Sequence, residues 1–398
     1  MRILVGWEDR KQADLIGMYL SVAENDVVIA DSLAEFAEAA RADGPWDAAL
    51  LSLSLGPTDA LFSEFNRFRD RFPVAPIIGA CDPQEVFSVV RFMARGMAAY
   101  VIRDASGDFM FMLPQLVEST VEAARAELDR QLAQRLREEV DSVRKLQESV
   151  IPREINAPEG YEIVARYEPS QIRVVGGRPV TLAGGDYYDV FRLDDEHLVL
   201  LVGDASGHGM KAAMSIMTMH TLVRMIRNQR YRNTADFVAQ INNQLCEQTI
   251  VAEEGGFITM LYAILNCRTH ELQWTSAGHP TPLIQDLNTG EVQLMGPRIS
   301  GGLPLAIMPD VEYETETTRI PPNARILLYT DGLEEAFPEG DSQRHDQFGV
   351  EGLMRTMKES RDQPLEKAMQ ALFDATQEFT RGAGRHDDTS VVMLERKR

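Results

Sequence analysis

Residues His197–Ala213 read HLVLLVGDASGHGMKAA. An apolar run ends at Gly203, a carboxylate follows at Asp204, glycines recur at 207 and 209, and helix-forming residues begin at Met210. The apolar run reads as a buried strand and the residues from Met210 as a helix, with a sharp loop between them. A lone carboxylate at the end of a buried strand is costly to desolvate. Asp204 therefore either starts a turn, the commonest use of aspartate, or meets a cation. Aspartates also stand at strand ends or turns in AGGDYYDVF (Asp186), LLYTDGLEE (Asp331) and GRHDDTSVVML (Asp387). One such residue says little, but four together fit a hard cation such as Mg²⁺ or Mn²⁺, which takes oxygen ligands and keeps several waters. Folding would have to gather these scattered positions.

Outward from that stretch the chain divides into three textures. The first ~115 residues alternate strand-like runs (RILVGW, DVVIAD, WDAALLSLSL, APIIGAC, AAYVIR) with amphipathic helical ones, the signature of a parallel sheet with helices on both faces. From Gln115 to Val150 there is neither glycine nor proline. Leu128, Leu132, Leu136, Val140, Val143, Leu146 and Val150 recur there at a mean step of about 3.7 residues, which reads as one long helix with an apolar stripe. The stripe fits either a spacer packed on one domain or, as favoured here, a dimer-forming or signal-transmitting helix. Beyond it, runs such as YEIVARYEP, ITMLYAILN and ARILLYTDG suggest antiparallel sheets, with helices such as TADFVAQINNQLCEQ between them.

The 398 residues suffice for two or three domains with full cores. A net charge of −21 argues against nucleic acid as the main partner. Cys81, Cys246 and Cys267 form neither a zinc motif nor a disulfide framework and read as small hydrophobes of a reducing compartment. MRILVGWEDR reads as a first strand rather than a signal sequence, and no apolar run approaches membrane-span length, so a cytoplasmic protein without a membrane partner is expected. No EF-hand loop, H-E-x-x-H, nucleophile elbow or Walker-type loop occurs.

The segments LQESVIPRE, GGDYYDVF, VGDASGHGMKAAM, TSAGHPTPL, GGLPLAI, LLYTDGLEEA, FGVEGL and HDDTSVV follow one another in an order similar to that of SpoIIE-type serine/threonine phosphatases. These belong to the metal-dependent phosphatases related to protein phosphatase 2C, and the resemblance covers nearly all of residues 145–398. It implies an α-β-β-α sandwich, a two-metal site holding Mn²⁺ or Mg²⁺, and hydrolysis of phosphoserine or phosphothreonine. It further implies that Asp204 bridges both ions, that the Ala205 carbonyl binds one, that Asp331 and Asp387 bind the second, and that Asp186 serves the first, through water or directly. Two ions ~3.5–4 Å apart would activate water and clamp the phosphoryl oxygens. Gly203, Gly207 and Gly209 would let the loop turn. His208 is read as a loop or phosphate-facing residue in preference to a proton donor, and His279 as loop architecture. Asp189 and Asp388 either support the ligands or are solvated. Met210, Met214, Met217 and Met219 are expected in the helix core. Ala306 replaces the glycine usual in the family's PLG loop.

The first segment resembles a response-regulator receiver with its phosphorylation chemistry lost. The alignment puts Ser52 at the acceptor aspartate, Cys81 at the usual Ser/Thr, Arg103 at the lysine and Asp104 at the proline, and leaves only the acidic pair Glu8 and Asp9. Asp47 and Asp59 are the alternatives should that register be wrong. The expected organisation is a receiver-like domain at 1–115, a helical linker at 116–152 and a phosphatase domain at 153–398. The expected partners are a phosphorylated anti-anti-sigma (STAS-type) protein, an upstream regulator of the first domain, and a second copy of the chain. The alternatives are a pseudophosphatase adaptor that binds a signalling partner without catalysis and, more remotely, a metal-dependent nucleotide-second-messenger enzyme.

Overall fold

Strands β1 (Arg2–Gly6), β3 (Ala48–Ser52) and β4 (Ile77–Cys81) are apolar and almost wholly buried, the pattern of strands covered on both faces. In the computed structural model they form a five-stranded parallel sheet with β2 (Asp26–Ala30) and β5 (Ala99–Ile102), in the order β2-β1-β3-β4-β5. This is the flavodoxin-like order. Helices α2 (Leu33–Arg41), α3 (Thr58–Arg71) and α4 (Val86–Met93) cover one face through Phe36, Phe65, Phe68 and Phe92. Helix α1 (Arg10–Ser21) and the start of α5 (Phe109–Val150) cover the other through Ile16, Leu20, Phe109, Leu113, Val117 and Val121. The structure describes the whole chain except residues 23, 43–44, 153, 173–179, 182, 208, 228–232, 249–255, 297–301, 339–346, 382–386 and 398.

Helix α5 begins six residues before the expected Gln115 and passes through Pro114. The proline removes one helical hydrogen bond and costs about 3 kcal/mol. Phe109, Leu113, Val117 and Val121, all buried at helical spacing, each contribute about 1.5–3 kcal/mol by burial, which outweighs it. Farther along, Leu128, Leu132, Leu136 and Leu146 stand exposed.

The chain falls into two compact units, Met1–Leu136 and Arg137–Arg398. In the second, β9 (Asp186–Arg192), β10 (His197–Ala205), β11 (Ile258–Asn266), β12 (Glu271–Ala277) and β15 (Glu316–Arg319) make one antiparallel sheet, ordered β15-β12-β11-β10-β9. The other is ordered β14-β13-β16-β17-β6, from β6 (Tyr161–Glu168), β13 (Leu283–Asp286), β14 (Val292–Leu294), β16 (Ala324–Tyr329) and β17 (Thr389–Arg396). Two short strands, β7 (Gln171–Ile172) and β8 (Val180–Thr181), pair with each other. Leu200 and Val202 of one sheet share a core with Ile326, Leu328, Val392 and Leu394 of the other. Helices α6 (Met210–Ile226) and α7 (Thr234–Cys246) add Ile216, Met219, Phe237 and Ile241 to that core. On the far side, α9 (Gly349–Glu359) and α10 (Leu365–Phe379) pack on β13, β16 and β17 through Leu353, Met357, Met369 and Leu372. The result is four layers, helix on sheet on sheet on helix. A single turn, α8 (Asp331–Glu334), follows β16.

Two details depart from expectation. Only Met219 of the five α6 methionines is fully buried; Met210, Met214 and Met225 face solvent, because the buried stripe runs through Ala212, Ala213, Ile216, Met219 and Val223. Ala306 adopts the glycine-like conformation at φ +67°, at a cost of about 1–2 kcal/mol. Its loop is held there by the Ala306 N–H, which donates to Asn242 Oδ1 at 2.9 Å.

Candidate functional site

The β9/β10 register pairs Asp204 directly with Asp186, so both carboxylates leave the same face of their sheet. Gly185 makes this approach possible: a Cβ there would lie 2.6 Å from the Ala205 carbonyl oxygen and 3.1 Å from Asp204 Oδ1. In the other sheet, β16 runs antiparallel to β17, so that the end of one lies beside the start of the other. Asp331 follows the first and Asp387 precedes the second. A side chain at Gly332 would collide with the Asp388 carbonyl at 2.0 Å, so only glycine lets the α8 turn press against the entry to β17. Gly207 and Gly209 take φ values of +86° and +85°, as the loop reading requires, whereas Gly203 is a strand residue whose missing side chain admits Met219.

The four aspartates act on one another. Burial first, and then Asp186, Asp331 and Asp387, push the Asp204 carboxyl well above its usual range. Asp186 is pushed the same way by burial, Asp388, Asp331 and Asp387, opposed by the Thr330 hydroxyl. Burial, Asp387 and the nearby Glu335 and Glu334 carry Asp331 up to about 7. Among the described residues no three acidic or imidazole groups converge on one point as a ready-made cage would have them. The arrangement is two pairs, Asp186 with Asp204 and Asp331 with Asp387, contributed by different sheets. Clustered carboxylates that raise one another's pKa, with no cation among their main influences, are the oxygen-donor chemistry that divalent ions such as Mg²⁺ and Mn²⁺ take.

The groups that hold these carboxylates were invisible along the sequence. Thr330 Oγ donates to Asp186 Oδ2 at 2.7 Å and accepts the Ser390 N–H at 2.9 Å. Asp388, 1% exposed, accepts the Ser170 N–H at 2.7 Å and the Gly185 N–H at 2.5 Å, so it ties three chain segments together and is not solvated. Asp189 points to the opposite face of β9 from Asp186; it pairs with Arg224 of α6 at 3.1 Å and accepts from the Tyr187 hydroxyl at 3.0 Å. His279 is buried, and burial depresses its pKa to about 3. The neutral ring meets the Thr259 hydroxyl at 2.9 Å while its backbone N–H donates to Ser276 Oγ at 3.0 Å, which makes it part of the loop. His208 lies outside the described residues.

In the first unit, Ser52 ends β3 and Cys81 ends β4, and Arg103 follows β5. The alternatives fail on position: Asp47 precedes β3 and accepts the Arg2 N–H at 2.8 Å, and Asp59 lies in the first turn of α3, paired with Arg91. Arg103 fills the place between the strand ends. Its guanidinium reaches Glu8 at 2.6 Å, both Asp82 oxygens at 3.0 Å and Ser54 at 2.7 Å, and lies 5.2 Å from the Trp7 ring centre. Burial pushes the Glu8 carboxyl up, but the Ser52 hydroxyl and Arg103 more than offset it and the net shift is down. Asp9 is turned away as the N-cap of α1.

Known proteins are similar to parts of this chain. A family described as "Stage II sporulation protein E (SpoIIE)" matches residues 194–397. Protein IcfG of Synechocystis is 25% identical over 242 residues, 55% of this chain and 35% of its own length. Phosphoserine phosphatase RsbU of Bacillus subtilis is 22% identical over 319 residues, 79% of this chain and 87% of its own length. The chain thus spans about a third of the one and most of the other. The SiaA-PP2C domain of Pseudomonas aeruginosa superposes with a TM-score of 0.54 at 17% identity, covering 66% of this chain and 98% of that domain, a likeness of fold.

Proposed function

The chain belongs to the SpoIIE family, and from that premise we propose that it is a metal-dependent phosphatase acting on phosphoserine or phosphothreonine in a signalling protein. The observation that carries this reading is the meeting of Asp186 and Asp204 with Asp331 and Asp387 across two sheets, where Asp331 and Asp387 push the Asp186 and Asp204 carboxyls up and Asp387 pushes up that of Asp331. Asp204, the Ala205 carbonyl, Asp186, Asp331 and Asp387 would hold two Mn²⁺ or Mg²⁺ ions there. When bound, such ions supply water activation and charge neutralisation at the phosphoryl group.

The chain's own residues do the rest by placement. The β9/β10 ladder fixes Asp204 against Asp186, Thr330 orients one Asp186 oxygen, and Gly332 lets Asp331 reach the mouth of β17. An adaptor without catalysis has no chemical use for four mutually repelling carboxylates, and that argues for turnover. As the finer reading, the substrate is a phosphorylated anti-anti-sigma (STAS-type) protein, and the first unit and a second copy of the chain regulate the site. The protein is assigned to the cytoplasm; its three cysteines are free, and among the described residues no helix is long and apolar enough to cross a membrane.

Hydrolysis of p-nitrophenyl phosphate and of a phosphoserine protein, with and without Mn²⁺, tests the proposal. Release of phosphate from both only when Mn²⁺ is present is expected. A protein inert toward both under every metal condition would leave the adaptor as the better reading.

A further inference from the structure

Helix α5 ends against the carboxylate cluster. Gln147, in its last turn, is 0% exposed, while Lys145 and Leu146 beside it face solvent. The Gln147 carboxamide makes two hydrogen bonds at once: Nε2–H donates to the Asp186 carbonyl at 3.1 Å, and Oε1 accepts the Gly184 N–H at 2.8 Å. The N–H between them, of Gly185, goes to Asp388 at 2.5 Å, and the Asp186 carboxylate takes the Thr330 hydroxyl at 2.7 Å. Three consecutive residues leading into the cluster are thus held by side chains from three distant parts of the sequence. The seat has little slack, because a Cβ on Gly184 would lie 2.3 Å from the Tyr167 hydroxyl and 2.5 Å from Asp388 Oδ2.

We propose that Gln147 is a positioning residue for the metal cluster: its carboxamide clamps the backbone at Gly184 and Asp186, so that affinity for divalent ions follows the seating of the last turn of α5. The inference rests on the reading of Asp186 as a metal-site carboxylate. Asp186 is the first residue of β9, paired with Asp204 at the very end of the β9/β10 ladder. One cross-strand bond continues before it, from the Ala205 N–H to the Gly185 carbonyl at 2.8 Å, and the Gly184 N–H beyond that bond goes to Gln147. The carboxylates around it repel it, so its position depends on the backbone before it. Loss of the carboxamide would strand a buried N–H and a buried C=O, each of which costs more than an average hydrogen bond contributes. The segment would then shift until water or another group satisfied them, and the carboxylate would move with it.

The test uses the full chain with Gln147→Leu, which removes both polar atoms, and Gln147→Asn, which is too short to span both partners. Lys145→Ala, on the same turn with its side chain 68% exposed, is the control. Calorimetric titration with Mn²⁺ alone is expected to show the dissociation constant rising about 10- to 100-fold in both Gln147 variants and unchanged in the control. Turnover at saturating Mn²⁺ should fall by less than the affinity does, a split that a general loss of packing would not produce. In the wild-type chain the Gly184 amide should resist hydrogen exchange as the core of β10 does. A folded Gln147→Leu protein with wild-type Mn²⁺ affinity, or a Gly184 amide that exchanges as freely as an exposed loop, overturns the clamp while leaving the metal site intact. A wild-type chain that binds no Mn²⁺ removes the premise, and the proposal with it.

Discussion

At Asp331 the electrostatics of the cluster reach the physiological pH range. Burial and Asp387 carry its pKa to about 7, while burial and neighbouring carboxylates raise Asp186 and Asp204 as well. Between the ordinary carboxylate range and about pH 7, the folded chain therefore retains protons that the unfolded chain has released. Stability falls with rising pH wherever the native state binds more protons. The metal-free protein should accordingly lose thermal stability from pH 5 to pH 8, and Mn²⁺ should abolish that loss by neutralising the ionised set. Melting temperatures of the chelator-treated and Mn²⁺-loaded protein at the two pH values check this. A metal-free midpoint that holds steady or rises over that interval would mean that the carboxylates do not repel one another as described. The four aspartates could be found in the sequence because each adjoins a strand, and three abut a strongly apolar run. Thr330, Gln147 and the staple role of Asp388 could not, since their partners lie 144, 37 to 39, and 203 to 218 residues away. No local periodicity encodes such a contact.

Among the elements, α5 combines a legible pattern with a misplaced start. Its stripe from Leu128 to Val150 was evident, yet Pro114 disguised the beginning, because burial of Phe109, Leu113, Val117 and Val121 overrides a local helix-breaking signal. Helix α6 was misread for a related reason: methionine occupies both its buried and its exposed faces, so composition gives no face to choose. The exposed Leu132 and Leu136, 56% and 55% accessible, are the positions at which a second α5 would pack. With both replaced by glutamate, the chain should become monomeric by light scattering and its Mn²⁺ affinity should change, since a charge in a buried seam is costly. A wild-type chain that is monomeric at tens of micromolar, with activity unaltered by the double substitution, would reduce the helix to a spacer.

On the scale of the whole molecule, two units of different chemistry share one chain. The first keeps the sheet order of a receiver, but Arg103 occupies the pocket between the strand ends and Ser52 stands where an acceptor carboxylate would be needed. Incubation with acetyl phosphate should leave the intact mass unchanged; a hydroxylamine-labile adduct of about 80 Da would show that an acceptor exists after all. The layered order of the second unit was foreseeable only through its resemblance to known phosphatases. Alternating apolar runs announce antiparallel strands, but the pairing of β10 with β9 and β11, and of β16 with β17, is decided by packing between distant segments. The central claim is that folding brings four scattered aspartates together to hold catalytic metal. It is tested most directly by the Mn²⁺-dependent hydrolysis of a phosphoserine protein by the wild-type chain and by Asp204→Asn, with folding of both verified by circular dichroism. The account predicts metal-dependent turnover in the wild type and a fall of several orders of magnitude in the folded variant; near-normal metal-dependent turnover by Asp204→Asn would contradict it.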